Sequence, residues 1–159
     1  WVAVASEDEW YKAAYYDGNG GYYDYPTQSN TAPANGNPPG GSNSANYDDN
    51  PDTVTDVGAY TDSSSHYGTF DQGGNVFEWN DEKISGLRRL RGGSFEDNDD
   101  SLKSSPSSPM GGSPSSEVNY IGFRVTSLAP IPEPSSYGAI FGIVGLATAI
   151  FFRRRRRRE

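Results

Sequence analysis

The stretch Gly73-Gly74-Asn75-Val76-Phe77-Glu78-Trp79 decides how this chain folds. Two adjacent glycines permit a tight or left-handed backbone turn. Beyond them Phe77 and Trp79 alternate with Glu78, the period-two pattern of a half-buried strand, so Glu78 is expected on the face away from the two aromatics. Asp71, just upstream, brings a second carboxylate towards Glu78 across the glycine turn. Carboxylates and backbone carbonyls at a kink of this sort suit a hard cation such as Ca²⁺. The competing reading is a solvated acidic turn.

Working outward, residues 87–90 read as a second short strand continuing towards Arg91-Gly92-Gly93, and residues 120–125 as a closing strand. On the N-terminal side, Ser6-Glu7-Asp8-Glu9 is a capping box, in which Ser6 receives the Glu9 amide while Glu9 reaches back to Ser6. Its acidic residues suit the positive end of the helix dipole. A helix over about 7–15 follows, with Trp10, Ala13 and Ala14 on one face, and the glycines from Gly18 to Gly21 end it. Residues 26–53 are rich in Pro, Gly, Asn and Ser without apolar periodicity, which predicts a long loop or a locally disordered insertion. Order is expected to resume over 54–60; residues 96–117 are acidic and Ser/Pro-rich, 126–136 form a linker, and no internal repeat is present. The fold class is α+β, irregular and loop-rich.

Composition narrows the function. The chain has 13 basic and 21 acidic side chains; without its last seven residues it keeps 7 basic and 20 acidic, a charge of −13. Such a surface repels nucleic acid, whose binders need a basic face. Leu, Ile, Val and Phe supply only 26 of 159 residues, below the roughly 20% that usually supports a core. Eleven tyrosines and three tryptophans compensate, because each aromatic buries a large area. No cysteine is present, which removes thiolate chemistry and thiolate metal ligands. The single histidine, His66, lies in a Ser-rich loop and reads as a surface residue. The chain begins at Trp1 with neither an initiator methionine nor a targeting segment. Export requires one, so an N-terminal portion is expected upstream.

The last 29 residues read IPEPSSYGAIFGIVGLATAIFFRRRRRRE. Residues 137–152 carry no charge and are expected to form a transmembrane helix; at ~1.5 Å per residue it spans roughly 24 Å, slightly short of a ~30 Å hydrocarbon core. Tyr137 and the snorkelling stem of Arg153 make up part of the deficit. The basic block Arg153, Arg154, Arg155, Arg156, Arg157 and Arg158 should stay cytoplasmic, making 153–159 a cytoplasmic tail and placing everything before Pro132 outside. This arrangement resembles the PEP-CTERM sorting signal of bacteria that carry an exosortase, with Pro132, Glu133 and Pro134 as the tripeptide. The resemblance implies export, retention in the bacterial membrane as a single-pass protein, and cleavage near the tripeptide for transfer to the cell surface. A generic tail anchor would not need the tripeptide.

Residues 1–125 resemble the C-terminal part of the formylglycine-generating enzyme family, or sulfatase-modifying factor domain. Ser6-Glu7-Asp8-Glu9-Trp10 is similar to its L-P-T-E-x-E-W start, with Val4 and Ala5 where Leu and Pro are usual. GGNVFEW is similar to G-G-N-V-W-E-W with Phe77 for the first tryptophan; Leu90-Arg91-Gly92-Gly93-Ser94-Phe95 is similar to L-R-G-G-S-[WF]; and Gly122-Phe123-Arg124 is similar to the closing G-F-R. The resemblance implies a C-type-lectin-like architecture. It also implies a calcium site made by the Asp71 and Glu78 side chains with the Gly74 and Val76 carbonyls. A second implied site draws on Asn46, Tyr47 and one of Asp48, Asp49 or Asp52.

Catalysis runs the other way. In the family, oxidation of a substrate cysteine to formylglycine depends on a copper-binding cysteine pair shortly after the G-G-S turn. By spacing, those positions fall here on Asp97 and Leu102. Leucine ligates no metal, and carboxylate is a poor host for soft Cu(I), so no copper is expected. Histidine-rich iron sites used by other relatives cannot be built from His66 alone. The first function reading is therefore a non-catalytic, surface-sorted binding or structural module of the envelope or exopolysaccharide matrix. An oxidoreductase of the formylglycine-generating type is the alternative, and a gene fragment that never folds is the third.

Overall fold

The structure, a computed structural model, describes residues 2–127. Along the chain, strand β1 (Val2–Val4) leads into helix α1 (Glu7–Tyr15), then the two-residue strands β2 (Ala34–Asn35) and β3 (Ser44–Ala45). The long strand β4 (Phe77–Ile84) and β5 (Leu87–Arg91) precede a 3-10 helix (Asp99–Leu102) and strands β6 (Met110–Gly112), β7 (Ile121–Phe123) and β8 (Val125–Ser127). The main sheet has the order β6-β5-β4-β7; β1 pairs with β8, and β2 with β3. Within the main sheet β4 is antiparallel to β5, with a register shift between Trp79 and Lys83, and parallel to β7. Residues Val2–Thr126 form one compact unit; of the other, Ser127 alone is described.

Helix α1 forms where the capping box places it. Ser6 Oγ accepts from the Glu9 amide at 3.2 Å, and Glu9 Oε2 accepts from the Ser6 amide at 2.9 Å. The Ser6 amide, together with the Ser6 hydroxyl that donates to the same Oε2 at 2.8 Å, holds the Glu9 carboxyl below its ordinary range. The buried face is Trp10, Ala14 and Tyr15, packed with Ala5. Ala13 is only half-buried, so the expected face is rotated by about one residue towards Tyr15.

Residues 26–53 are the long loop that the sequence suggested, with the two-residue strands β2 and β3 within it; more than half of its residues are exposed, while a few pack inward. Tyr25, Ala45, Tyr47 and Leu102 make a second core cluster. Tyrosine hydroxyls tie down the irregular backbone: Tyr47 donates to the Pro33 carbonyl at 2.5 Å and Tyr60 to that of Gly36 at 2.6 Å. The Ser44 amide is satisfied by Ser63 Oγ at 2.9 Å, which in turn donates to the Gly41 carbonyl at 2.7 Å. Short polar side chains thus replace ladder partners, an order that leaves no apolar periodicity to read.

Three segments meet at the glycine turn. The Gly74 amide donates to the Gly92 carbonyl, the Asn75 amide to Asn46, and the Phe95 amide to Asn75, at 2.8, 2.8 and 3.0 Å. Gly74 is indispensable: its φ is +76°, and an added Cβ would lie 2.1 Å from the Asn46 carbonyl oxygen. Gly92, at φ +93°, also faces a carbonyl, less tightly: a Cβ there would come to 2.7 Å from the Gln72 oxygen.

Strands form at 77–84 and 87–91; the first runs well beyond Trp79, and the second continues to Arg91 as the sequence suggested. The closing strand is split into β7 and β8 at Arg124, and β8 extends into the segment read as linker. Among the described residues no helix is long and apolar enough to cross a membrane. The expected span at 137–152, the Pro132-Glu133-Pro134 tripeptide and the arginine block lie outside the described residues.

Candidate functional site

Glu78 sits in β4 at the register position of Gly122 in β7, two residues before Arg124. Its carboxylate is clasped by the Arg124 guanidinium, with Nε to Oε2 and Nη2 to Oε1 both at 2.5 Å. Trp10 of α1 donates its indole Nε1 to the same Oε2 at 2.6 Å. Glu78 is 5% exposed, so its outward-facing strand position is covered by helix and guanidinium rather than by water. A second guanidinium fork lies nearby, where Arg91 grips Glu7 and places its free Nη1 on the Ser104 carbonyl at 3.0 Å.

Asp71, Val76, Glu78, Phe123 and Arg124 line one cavity of about 290 Å³. Asp71 Oδ2 accepts from the Gly58 amide at 2.6 Å. Burial raises the Asp71 carboxyl above its ordinary range, while that amide and Arg124 pull the other way. The structure therefore brings together three of the four residues expected around calcium. Gly74 lies instead against Asn46.

The donors do not fit a cation at Glu78. Both its oxygens already face positive donors, and a calcium ion there would stand beside a guanidinium it must displace. Among the described residues no three His, Cys, Asp or Glu gather as a metal-binding group. The second expected site fares differently. Asn46 is 1% exposed, its amide nitrogen donates to Thr53 and Asn75, and its Oδ1 is buried without a hydrogen-bond partner. An orphaned buried acceptor costs about 1–3 kcal/mol, and an oxygen-seeking cation would satisfy it. The neighbouring Asp48, Asp49 and Asp52 are exposed.

The two positions assigned by spacing to copper ligands hold the fold together. Asp97 Oδ2 accepts from the Ser94 amide at 3.0 Å and from Ser94 Oγ at 2.5 Å, closing a turn. The Asp97 carbonyl accepts from the Asp48 amide at 2.8 Å. Leu102 is fully buried among Tyr25, Ala45 and Tyr47. Its carbonyl accepts from the Tyr15 hydroxyl at 3.0 Å, and burial raises that phenol far above its usual range.

Sequence reasoning missed Arg124 and Trp10 as partners of Glu78, and the half-open aromatic pair Trp79 and Phe123. These two are register partners across β4 and β7, and they border a second cavity of about 500 Å³ with Asp81 and Arg88 on its rim. Opposite charges on Glu78 and on the arginine of the closing G-F-R were the available signal for the first pairing.

A small α+β domain whose glycine turn, buried glutamate and closing arginine interlock in this way defines a class, and comparison gives it a family. Residues 2–128 match the sulfatase-modifying factor enzyme 1-like domain, and the chain belongs to that family. Residues 130–157 match the PEP-CTERM protein-sorting motif, which marks the chain for export and for processing by an exosortase. The fold is similar to that of Treponema denticola variable protein 1, with a TM-score of 0.53 and 22% identity over 78% of this chain and 46% of that one. A second solved structure, that of CarF, matches with a TM-score of 0.43 and 20% identity over 80% of this chain and 48% of its own. The chain thus spans about half the length of these two relatives. None of the curated proteins compared matches it.

Proposed function

We propose that this protein is a surface-sorted module of the bacterial envelope or exopolysaccharide matrix whose sulfatase-modifying factor domain binds or scaffolds and does not oxidise cysteine. One observation carries the reading. The positions where the family's chemistry needs two thiolates are a turn-closing Asp97 and a core Leu102, in a chain without any cysteine. Soft copper finds no host in such donors.

On this reading residues 1–125 are the C-terminal part of the domain, with the lectin-like architecture of the family. Residues 126–136 carry the cleavage region, 137–152 cross the membrane once, and 153–159 remain in the cytoplasm. Calcium, where it is held, is held by Asn46 Oδ1 with neighbouring acidic side chains, and it would relieve that group's missing hydrogen bond. The Glu78 carboxylate takes no part.

Sorting is tested with the full chain in matched hosts with and without an exosortase. The expected result is a surface-fraction product shortened by about the tail mass in the first host only. Unchanged size and membrane retention in both would reduce the tail to an ordinary anchor.

A further inference from the structure

The C-terminal end of α1 and the loop around His66 gather a cluster of aromatic rings. Tyr16 lies 5.8 Å from Tyr67 with planes inclined by only 19°, and 5.8 Å from Tyr22 at 69°. His66 stands edge-on to both Tyr16 and Tyr67, at 5.7 and 5.3 Å. The Gly18 turn closes so tightly over the imidazole that a Cβ there would lie 2.5 Å from it. His66 is exposed in a loop, as its sequence context predicts, and its ring also lies against those of Tyr16 and Tyr67.

Two contrasts separate this cluster from the core. Tyr22 and Tyr67 are 49% and 51% exposed, while Tyr15, Tyr25, Tyr47 and Tyr60 are buried. Each buried phenol donates to a partner in the chain. Among the described residues the hydroxyls of Tyr16, Tyr22 and Tyr67 have none, so ring edges and hydroxyls both face water. Exposed aromatic surface with unused polar tips is the chemistry of a recognition platform.

Charge says what the platform takes. Lys12 Nζ lies over the Tyr16 ring, 5.5 Å from its centroid, so a cation already occupies one of these faces. Asp17 borders the cluster, and the Asn19 and Gly21 amides on its Oδ1, at 2.7 and 2.9 Å, hold the carboxyl below its ordinary range. Residues 1–152 carry a charge of −13. Anionic polymers are repelled by such a field, and polycations are drawn to it. Ammonium groups favour the faces of tyrosine rings.

We propose that Tyr16, Tyr22, His66 and Tyr67, with Asp17 at their edge, form a docking surface for a cationic amino-sugar polysaccharide. Its pyranose faces would stack on Tyr22 and Tyr67, and its ammonium groups would lie against the rings and the Asp17 carboxylate. The inference rests on the reading of the protein as a non-catalytic module at the cell surface, and it supplies that module's ligand class.

The test is co-sedimentation of the full chain, in mild detergent, with insoluble partly deacetylated N-acetylglucosamine polymer at a mildly acidic pH that protonates its amines. Fully acetylated polymer and cellulose serve as comparisons. The parent should bind the deacetylated polymer alone. Tyr22→Ala with Tyr67→Ala leaves the net charge unchanged and should weaken binding about tenfold, the loss of two ring contacts. Asp17→Asn keeps an oxygen for the Asn19 and Gly21 amides and should weaken it less. The melting temperature of each variant checks that the fold is intact. Equal retention of parent and double variant, or equal binding of the parent to cellulose, would overturn the proposal. Either result would leave the surface-sorted module intact, because sorting and cysteine oxidation are measured separately.

Discussion

The glycine turn at 73–75 and the turn at 94–97 touch each other through the Phe95 amide and the Asn75 carbonyl, 3.0 Å apart, yet the first keeps the family's motif throughout and the second only at its start. The first keeps its motif, and each part of it does a visible physical task. Gly74 admits the Asn46 backbone, Asn75 joins Thr55 to Asn46 through its side chain, and Glu78 pins Trp10 and Arg124. The second keeps its Gly-Gly-Ser start, after which a carboxylate closes a turn and a leucine fills a core. In the first turn each residue that positions a backbone is held by several neighbours.

The sharpest way to break that contrast is through Glu78. Replacing it by alanine leaves the buried Trp10 indole and the Arg124 guanidinium, a quarter exposed, without their acceptor, and losing one member of such a pair costs up to about 3–5 kcal/mol. Chemical denaturation of Glu78→Ala should show that loss, while a cost below about 1 kcal/mol would mean that the clasp is incidental. Next in size is Leu102→Ala. A fully buried leucine truncated to alanine costs about 2–5 kcal/mol. A near-neutral result would place Leu102 outside the core and reopen its position as a site.

The smallest effect separates a buried carboxyl from a metal ligand. Burial raises the Asp71 pKa, so the folded state binds its proton more tightly than the unfolded state does. That contribution is present below the unfolded pKa and is lost as pH rises through the folded one. Asp71→Asn should therefore melt slightly above the parent at neutral pH, and the difference should close on acidification towards the ordinary aspartate range. Calcium should act equally on both proteins. A calcium response that vanishes in Asp71→Asn would restore Asp71 as a ligand.

Much of this was legible beforehand, and the particulars show why. The capping box at Ser6 and Glu9 is local chemistry, and it set the start of α1 correctly. GGNVFEW announced a turn and then a strand, since glycine pairs and period-two aromatics need no distant partner. The inner packing of the loop at 26–53 was not legible, because it comes from tyrosine hydroxyls and short polar side chains bonding backbone groups far away in sequence. The partners of Glu78 were missed for a related reason. Alternation placed it correctly on the face opposite Phe77, but only the parallel register with β7 brings Arg124 over it. The aromatic cluster at Tyr16 and His66 joins residues about fifty apart, a distance that no periodicity spans.

The contrast between the two turns, and with it the proposal that this domain oxidises no cysteine, is tested most directly by incubating the full chain with a sulfatase-type cysteine peptide, with and without reduced copper. Mass spectrometry of the peptide then reports its cysteine side chain. The account predicts an unaltered thiol under both conditions. Peptide in which the thiol has become an aldehyde, formed by this cysteine-free chain, would contradict it.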